Sequence, residues 1–510
     1  MKLLLAGPGT GKTTKIQTLI DDFSKIDKIL IMSFTNATVN DLLKDLSAKG
    51  VTGNNCMTLH KFAIKYNHDN SRHVLLPEEE KILNNIAKRI NLEFDALCDQ
   101  LNATTFNQMI DRFILFAKSN EIYLKEKLEN FKYLIVDEYQ DFNPHEQALI
   151  DLLLGYFNET ILLGDDDQCI YDFKDASSEK LIEFHNDSDV EKLDHEHMCH
   201  RCPDKVVEHA TNLIKNNKKR VDKPWHKSGK KGVFVYLQKE NLDAMADYVI
   251  RNIKNITKKD PDASILILAP VKFISEPVAQ KLVEENTDFE NANAIKIDPA
   301  ILEKTWEVRS LFGNFKYLNL LFLGYAILSQ RNPFYALLKR HLESGQDFDE
   351  LFEKVSKKLP EEVKLEYKNI EIMLELDRYR EVKDMYDQTE GEVADDKLER
   401  IFQIKKDLPI KKIKVMSIHK SKGLGEDYVF VLGLTDGILP NQKAGIDSIE
   451  SQRRLFYVAM TRAKKCLCVI SILKIPGKYA RKMNIEKFTF DKYKKLWHGK
   501  ASIFVSELKL

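Results

Sequence analysis

Residues Gly7–Thr13 read G-P-G-T-G-K-T, directly after the apolar run Leu3–Ala6 and directly before a helical pattern that begins near Lys12. A Gly-rich turn in that setting constrains the fold more than any other feature of the chain. It requires a buried strand to deliver it and a helix N-terminus to meet a phosphate. Its glycines let backbone N–H groups converge on phosphates, Lys12 reaches the β- and γ-phosphates, and the Thr13 hydroxyl suits Mg²⁺. Gly7, Pro8, Gly9, Thr10, Gly11, Lys12, Thr13 and Thr14 are thus the candidate triphosphate residues.

Short apolar runs that alternate with helical patterns extend this beginning. KILIMSF (Lys28–Phe34) precedes NATVNDLLKDL, YLIVDE (Tyr133–Glu138) precedes PHEQALIDLLL, and TILLGD (Thr160–Asp165) follows. A second series comprises GVFVYL (Gly232–Leu237), ASILILA (Ala263–Ala269), IKVMSIH (Ile413–His419), YVFVLGL (Tyr428–Leu434) and KCLCVIS (Lys465–Ser471). Buried strands alternating with helices indicate α/β architecture with parallel sheets, here two of them. The stretches from Glu78 to about Leu128 and from Ile301 to Leu408 read as helical and interrupt the two series as insertions. At 510 residues the chain has room for about three or four domains.

Lys+Arg and Asp+Glu both number 78, so net charge neither suggests nor excludes a nucleic-acid partner. The 7 cysteines are scattered and odd in number, which suits a reducing compartment. No apolar run is long enough to span a bilayer and no leader is evident, so a cytoplasmic location with no membrane partner is expected.

A phosphate loop also needs a second metal contact and a means to activate water. YLIVDEYQD supplies both: Asp137 ends an apolar strand and suits the Mg²⁺ shell, and Glu138 suits a general base. Together these features indicate an NTP hydrolase.

DEYQD followed by GDDDQCIYDFKDA (Gly164–Ala176) resembles the UvrD/Rep-like superfamily 1 helicases. The resemblance continues in family order. SFTNATVNDL is similar to motif Ia, TLHKFA to motif Ib, and CHRCP (Cys199–Pro203) stands where N-Y-R-S is expected in motif IV. NKKRVDKPWHKSG (Asn217–Gly229) resembles the basic segment that follows it. SIHKSKGLGEDYVFVLGLTDGILP resembles motif V, SQRRLFYVAMTRAKKCLCV motif VI, and ASIFVSEL the family's closing segment.

The resemblance implies two RecA-like P-loop NTPase cores, each with a mainly helical insertion. The expected boundaries are 1–62 and 120–185 for domain 1A, 63–119 for 1B, 186–305 and 409–510 for 2A, and 306–408 for 2B. ATP would lie between 1A and 2A. Gln168 would sense the γ-phosphate, and Arg201 and Arg462 would neutralise charge as arginine fingers. Arg453 and Arg454 are open between holding motif VI in place and surface ion pairs. Phe34, Tyr171 and Phe173 are implied as base-stacking residues, with core packing as the other reading of each aromatic. Thr58, His60, His419 and Lys422 are implied as contacts to the DNA backbone.

Four positions depart from the family pattern. The chain as given holds no Gln-containing segment before the P-loop. His200 stands for a stacking Tyr, and Lys174 for an Arg near the γ-phosphate, with Asp175 for a Gly. Gly425 stands for a Glu that holds the ribose, with Glu426 one position away. Appreciable use of NTPs besides ATP is expected from these. HEHMCHRC (His195–Cys202) mimics a zinc site, but no second ligand pair follows at suitable spacing and no structural zinc is expected.

The expectation is an ATP- and Mg²⁺-dependent translocase on single-stranded DNA that unwinds tailed duplexes 3′→5′, the polarity resting on resemblance alone. The alternative is a motor or DNA-sensing subunit that activates a separate nuclease, as UvrD-like subunits do in antiphage systems such as Gabija. A nuclease or loading protein is the partner that this alternative requires.

Overall fold

The computed structural model describes residues 1–22, 28–67, 72–75, 80, 84, 87–88, 93–100, 103–292, 411–441, 446–476, 489–491 and 496–510. The chain divides into two compact units. One contains Met1–Tyr66, Ile114–Ala294 and Lys411–Leu510, and the other Asn67–Phe113 and Ile295–Ile410.

The first unit carries two six-stranded sheets. In spatial order the first sheet runs Cys56–Thr58, Ile29–Ser33, Tyr133–Val136, Glu159–Gly164, Lys2–Leu5 and Glu191–Lys192. Every pairing in it is parallel. The second runs Val233–Lys239, Ala463–Ile472, Glu426–Leu432, Ile265–Ala269, Ile413–Ser417 and Glu290–Asn291, again all parallel. Central strands such as Ile29–Ser33 and Ile265–Ala269 are buried along their whole length. Helices cover both faces, which is why these segments read as unbroken apolar runs rather than alternating ones.

Every apolar run expected to be a strand lies in one of these sheets. The helices NATVNDLLKDL and PHEQALIDLLL occupy Asn36–Leu46 and Pro144–Leu154. Each begins at a capping box. The Asn143 side chain accepts from Glu146 N at 3.0 Å while Asn143 N donates to Glu146 Oε2 at 2.8 Å, with Pro144 at the first helical position. Thr35 and Thr38 make the equivalent pair.

The second unit includes the described helix Phe94–Gln100, and the helices Phe106–Ser119 and Glu121–Leu128 follow along the chain. The helical reading of 301–408 lies outside the described residues.

Parallel sheets place their loops at defined edges. In the first sheet Gly7–Thr14, Phe34, Asp137–Glu138 and Asp165–Gln168 all follow the carboxyl ends of strands, where ligands of such sheets bind. The second sheet contributes from the opposite end. Gly425 and Arg462 immediately precede the paired strands Glu426–Leu432 and Ala463–Ile472, with Glu426 opposite Ala463.

Candidate nucleotide and nucleic-acid sites

The phosphate loop is held open by backbone geometry that only glycine adopts without strain. Gly9 has φ +72° and Gly11 φ +90°. Thr10 Oγ1 donates to Gly7 O at 2.9 Å, and Lys12 Nζ donates to Ala6 O at 3.1 Å, which folds the lysine over its own loop. Gly9 also permits a close approach: a Cβ there would lie 2.5 Å from Arg201 Cβ. His200 N donates to Gly9 O at 2.9 Å. Arg201 is thereby seated against the loop that sequence placed with the triphosphate.

Asp137 follows its strand at 8% exposure, with its own N–H donating to Met32 O at 2.8 Å. Burial, reinforced by the adjacent Glu138 carboxylate, raises its pKa. Burial acts on Glu138 in the same direction, but the positive charges of Lys12 and Lys422 outweigh it and hold Glu138 below its usual range. One carboxylate is therefore disfavoured as an anion, chiefly by burial, and the other is stabilised as an anion by two lysines. Glu138 also has φ 54°, a left-handed conformation unusual for a non-glycine residue.

A line of hydrogen bonds leads from Glu138 to the second core. Gln140 Nε2 donates to Glu138 Oε2 at 2.5 Å, and Gln140 Oε1 accepts from Asp165 N at 2.9 Å. Asp165 Oδ2 accepts from Gln168 Nε2 at 2.6 Å, and Gln168 Oε1 accepts from Arg462 Nη2 at 3.2 Å. Arg462 is 1% exposed. Its remaining donors reach Val458 O at 2.8 Å, Leu424 O at 3.1 Å and Thr461 Oγ1 at 3.0 Å. Gln140 has no signal of its own in DEYQD. Its place depends on Gly164, where a Cβ would lie 2.8 Å from Gln140 Oε1.

Two further residues were not singled out from sequence. Trp225 Nε1 donates to Pro8 O at 3.1 Å, and its ring meets Tyr457 edge-on at 5.6 Å. Lys223 is buried among Asp165, Asp166 and Asp167, at 3.0, 2.5 and 2.7 Å. The basic composition of Asn217–Gly229 is the signal that marked the segment, without marking these side chains.

Other candidate residues make contacts that the sequence did not indicate. Lys422, expected on the DNA backbone, is 8% exposed and donates to Asp141 Oδ1 at 2.5 Å and Gln168 O at 2.8 Å, with Glu138 Oε2 at 4.0 Å. Buried carboxylates draw the ammonium inward. Lys174, expected at the γ-phosphate, lies over the rings of Phe34 and Tyr171, 5.9 and 5.8 Å from their centroids. Glu426, the carboxylate next to the expected ribose position, pairs with Lys414 at 2.7 Å and is 8% exposed. A Cβ on Gly425 would lie 3.4 Å from Arg201 Nε, so that position borders the arginine. Arg453 and Arg454 are buried rather than on the surface. Arg453 pairs with Glu507 at 2.7 Å, and Arg454 Nη2 donates to Lys219 O at 2.8 Å.

The stacking candidates gather beside this site. The rings of Phe34 and Tyr171 are 5.4 Å apart and tilted by 35°, Phe34 meets Phe142 edge-on at 5.6 Å, and Tyr171 and His419 are 6.4 Å apart. Tyr171 Oη donates to His419 O at 3.4 Å. Phe34, Tyr171 and His419 are half-buried, which leaves ring surface to solvent. The side chain of Phe173 lies outside the described residues. Thr58 Oγ1 accepts from Lys61 N at 3.2 Å at the start of its helix.

His60 Nε2 lies 3.5 Å from Glu146 Oε1. Burial, aided by the Lys174 charge, pushes His60 down to about 4, and burial pushes Glu146 up to about 7. Neither shift favours an ion pair at the His60 contact.

Two families match separate parts of the chain. Residues 1–174 match the family described as AAA domain, and residues 325–474 the UvrD-like helicase C-terminal domain. Among curated relatives, the ATP-dependent DNA helicase Rep of Buchnera aphidicola (subsp. Schizaphis graminum) is 24% identical over 71% of this chain and 65% of its own length. The Rep helicase of Escherichia coli K12 is 26% identical over 73% and 65%. A probable DNA helicase II homolog of Mycoplasma capricolum is 24% identical over 90% and 81%. The chain thus spans just under two-thirds of the length of those Rep proteins. Two parallel α/β sheets, together with these two family matches and relatives, make the chain a homologue of the Rep, UvrD and PcrA-type DNA helicases of superfamily 1A.

Proposed function

We propose that the chain is an ATP-driven translocase on single-stranded DNA that separates duplexes in the 3′→5′ direction. The observation that carries this reading is the hydrogen-bonded line from Glu138 through Gln140, Asp165 and Gln168 to Arg462. It joins a carboxylate on one sheet to an arginine on the other, so hydrolysis and closure of the two cores depend on one another. Domain 1A is taken as 1–62 with 120–185 and domain 2A as 186–305 with 409–510, the insertions 1B and 2B being 63–119 and 306–408.

In this reading the loop Gly7–Thr14 surrounds the phosphates and Lys12 leaves Ala6 O to meet them. Thr13 and Asp137 offer the hard oxygen donors that Mg²⁺ takes, and the burial and neighbouring Glu138 charge that raise the Asp137 pKa are what a cation there would offset. Bound Mg²⁺ would supply charge neutralisation on the phosphate oxygens. Glu138, held as an anion, accepts the proton of the attacking water. Arg201 and Arg462 stabilise the charge that develops on the transferred phosphoryl group, and Gln168 orients toward it.

Phe34 and Tyr171 offer faces to bases, and every base presents one, so binding through them is indifferent to sequence. Lys422 links the two sites. Its ammonium lies 5.5 Å from the Tyr171 ring centroid and also touches Asp141 and Gln168. A shift of Tyr171 on a DNA strand therefore changes the charge that faces Glu138.

Strand displacement on duplexes with a 3′ or a 5′ single-stranded tail tests this. ATP-dependent unwinding from the 3′ tail is expected, with none from the 5′ tail. Unwinding only from the 5′ tail contradicts the polarity. DNA-stimulated hydrolysis without unwinding from either tail contradicts the helicase reading and leaves a motor that works on another protein's behalf.

A further inference from the structure

Asp165, Asp166 and Asp167 are the group among the described residues whose carboxylates lie close enough together to share a cation, and the cation they hold is a side chain. Lys223 Nζ reaches all three, its side chain is 5% exposed, and the carboxylates are 0, 0 and 2% exposed. Arg220 makes a two-pronged contact to Asp167 at 3.0 and 2.9 Å, and Val221 N donates to Asp166 Oδ2 at 2.7 Å. Three buried acids in consecutive positions are strongly unfavourable without a countercharge, so this contact is structurally obligatory.

The division of labour on Asp165 gives the cluster a second role. Its Oδ1 faces Lys223 at 3.0 Å and accepts from Asp167 N at 3.2 Å, while its Oδ2 accepts from Gln168 Nε2. An ionised carboxylate only accepts hydrogen bonds, so the Gln168 amide must turn its NH₂ to Asp165 and its oxygen to Arg462. Burial pushes the Asp165 pKa up, and the Lys223 and Lys12 charges outweigh burial and hold the carboxylate ionised.

Lys223 does not belong to the sheet that it clamps. Its segment is fastened to the helix Ile446–Met460. Glu450 accepts from Lys218 N at 2.7 Å and Lys219 N at 3.2 Å, Arg453 Nη1 donates to Asn217 Oδ1 at 2.5 Å, and Arg454 holds Lys219 O. The same helix leads into Arg462. The segment and the residue after the helix therefore approach Gln168 from two sides, with Arg462 on its amide oxygen and Lys223 behind its carboxylate partner.

We propose that Lys223 is a positioning residue for phosphoryl transfer, setting the orientation of Gln168 through Asp165 when the second core closes on the first. The proposal rests on the reading of Gln168 as the γ-phosphate sensor. The test is steady-state ATP hydrolysis by the full chain on single-stranded DNA for Lys223→Met, Lys223→Arg, Gln168→Ala and the Lys223→Met/Gln168→Ala pair, with thermal unfolding followed in parallel. Lys223→Met is expected to lower kcat by up to about 10²-fold with KM for ATP little changed, the scale of a catalytic group displaced by about 1 Å. Lys223→Arg, which keeps the countercharge, is expected to recover most of that loss. In the Gln168→Ala background Lys223→Met is expected to cost less than about twofold, because residues acting as a unit are non-additive.

Equal losses in the two backgrounds, or an unchanged kcat in Lys223→Met, overturn the proposal. An unchanged kcat in Gln168→Ala overturns the sensor reading itself, and the proposal with it. Where Lys223→Met loses cooperative unfolding, Asp165→Asn carries the test. It preserves volume and removes the obligatory acceptor, and it is expected to show the same kcat loss and the same non-additivity, additive behaviour again overturning the proposal.

Discussion

Substitution of Arg462 by lysine is expected to lower kcat for DNA-stimulated ATP hydrolysis by on the order of 10³-fold while KM for ATP changes little. Lysine keeps the charge but loses the planar fork. The fork matters here because the guanidinium bonds to Gln168 Oε1, Leu424 O, Val458 O and Thr461 Oγ1 together, so its direction is fixed before a phosphate arrives. An ammonium cannot satisfy those acceptors and a phosphate with the same geometry. Arg462→Ala is expected to lose as much activity and also stability, because it strands buried carbonyls at a cost of about 1–3 kcal/mol for each group left unpaired. Comparing the two variants by kinetics and thermal unfolding separates charge placement from folding. Near-normal kcat in Arg462→Lys would show that a point charge suffices.

Glu138→Gln is the second large effect. The substitution preserves size and the left-handed backbone while it removes the anion, and kcat is expected to fall by about 10²- to 10⁴-fold. Nucleotide binding is expected to persist, since Lys12, Thr13 and Asp137 are untouched. Gln140 donates to Glu138 Oε2, and an amide can still accept that bond, so the line to Arg462 survives the change. Equilibrium binding of a fluorescent ATP analogue, set beside turnover, reads the two effects separately. Loss of binding to the same extent as turnover would make Glu138 a structural group rather than a base.

Much of this was legible in sequence because burial on both faces leaves a compositional trace. Ile29–Ser33 and Ile265–Ala269 are uninterrupted apolar runs because helices cover both sides of their sheets. Asn143 with Glu146 and Pro144 marked one helix start through local chemistry alone. The phosphate loop was legible for the same reason, since its geometry is set by the glycines within it.

What sequence did not reveal is set by pairs distant along the chain. Lys422 reads as a DNA-backbone contact and Glu426 as a neighbour of the ribose position, while Asp141, 2.5 Å from one, and Lys414, beside the other, are not legible as their partners. Gln140 finds its role only through Gly164 and Asp165. Lys174 kept the charge expected of its position, but that charge faces aromatic rings. Arg453 and Arg454 were open between two readings, and the contacts to Glu507, Asn217 and Lys219 decide for the interior. In each case the residue type was readable and its partner was not.

The central claim is that nucleic acid and nucleotide act on one composite site between the two cores. Steady-state ATP hydrolysis by the unmodified chain, with and without single-stranded DNA and with Lys12→Ala as the control, tests it most directly. The account predicts hydrolysis that rises strongly with DNA and disappears in Lys12→Ala. Hydrolysis that is indifferent to DNA, or that survives the loss of Lys12, would contradict it.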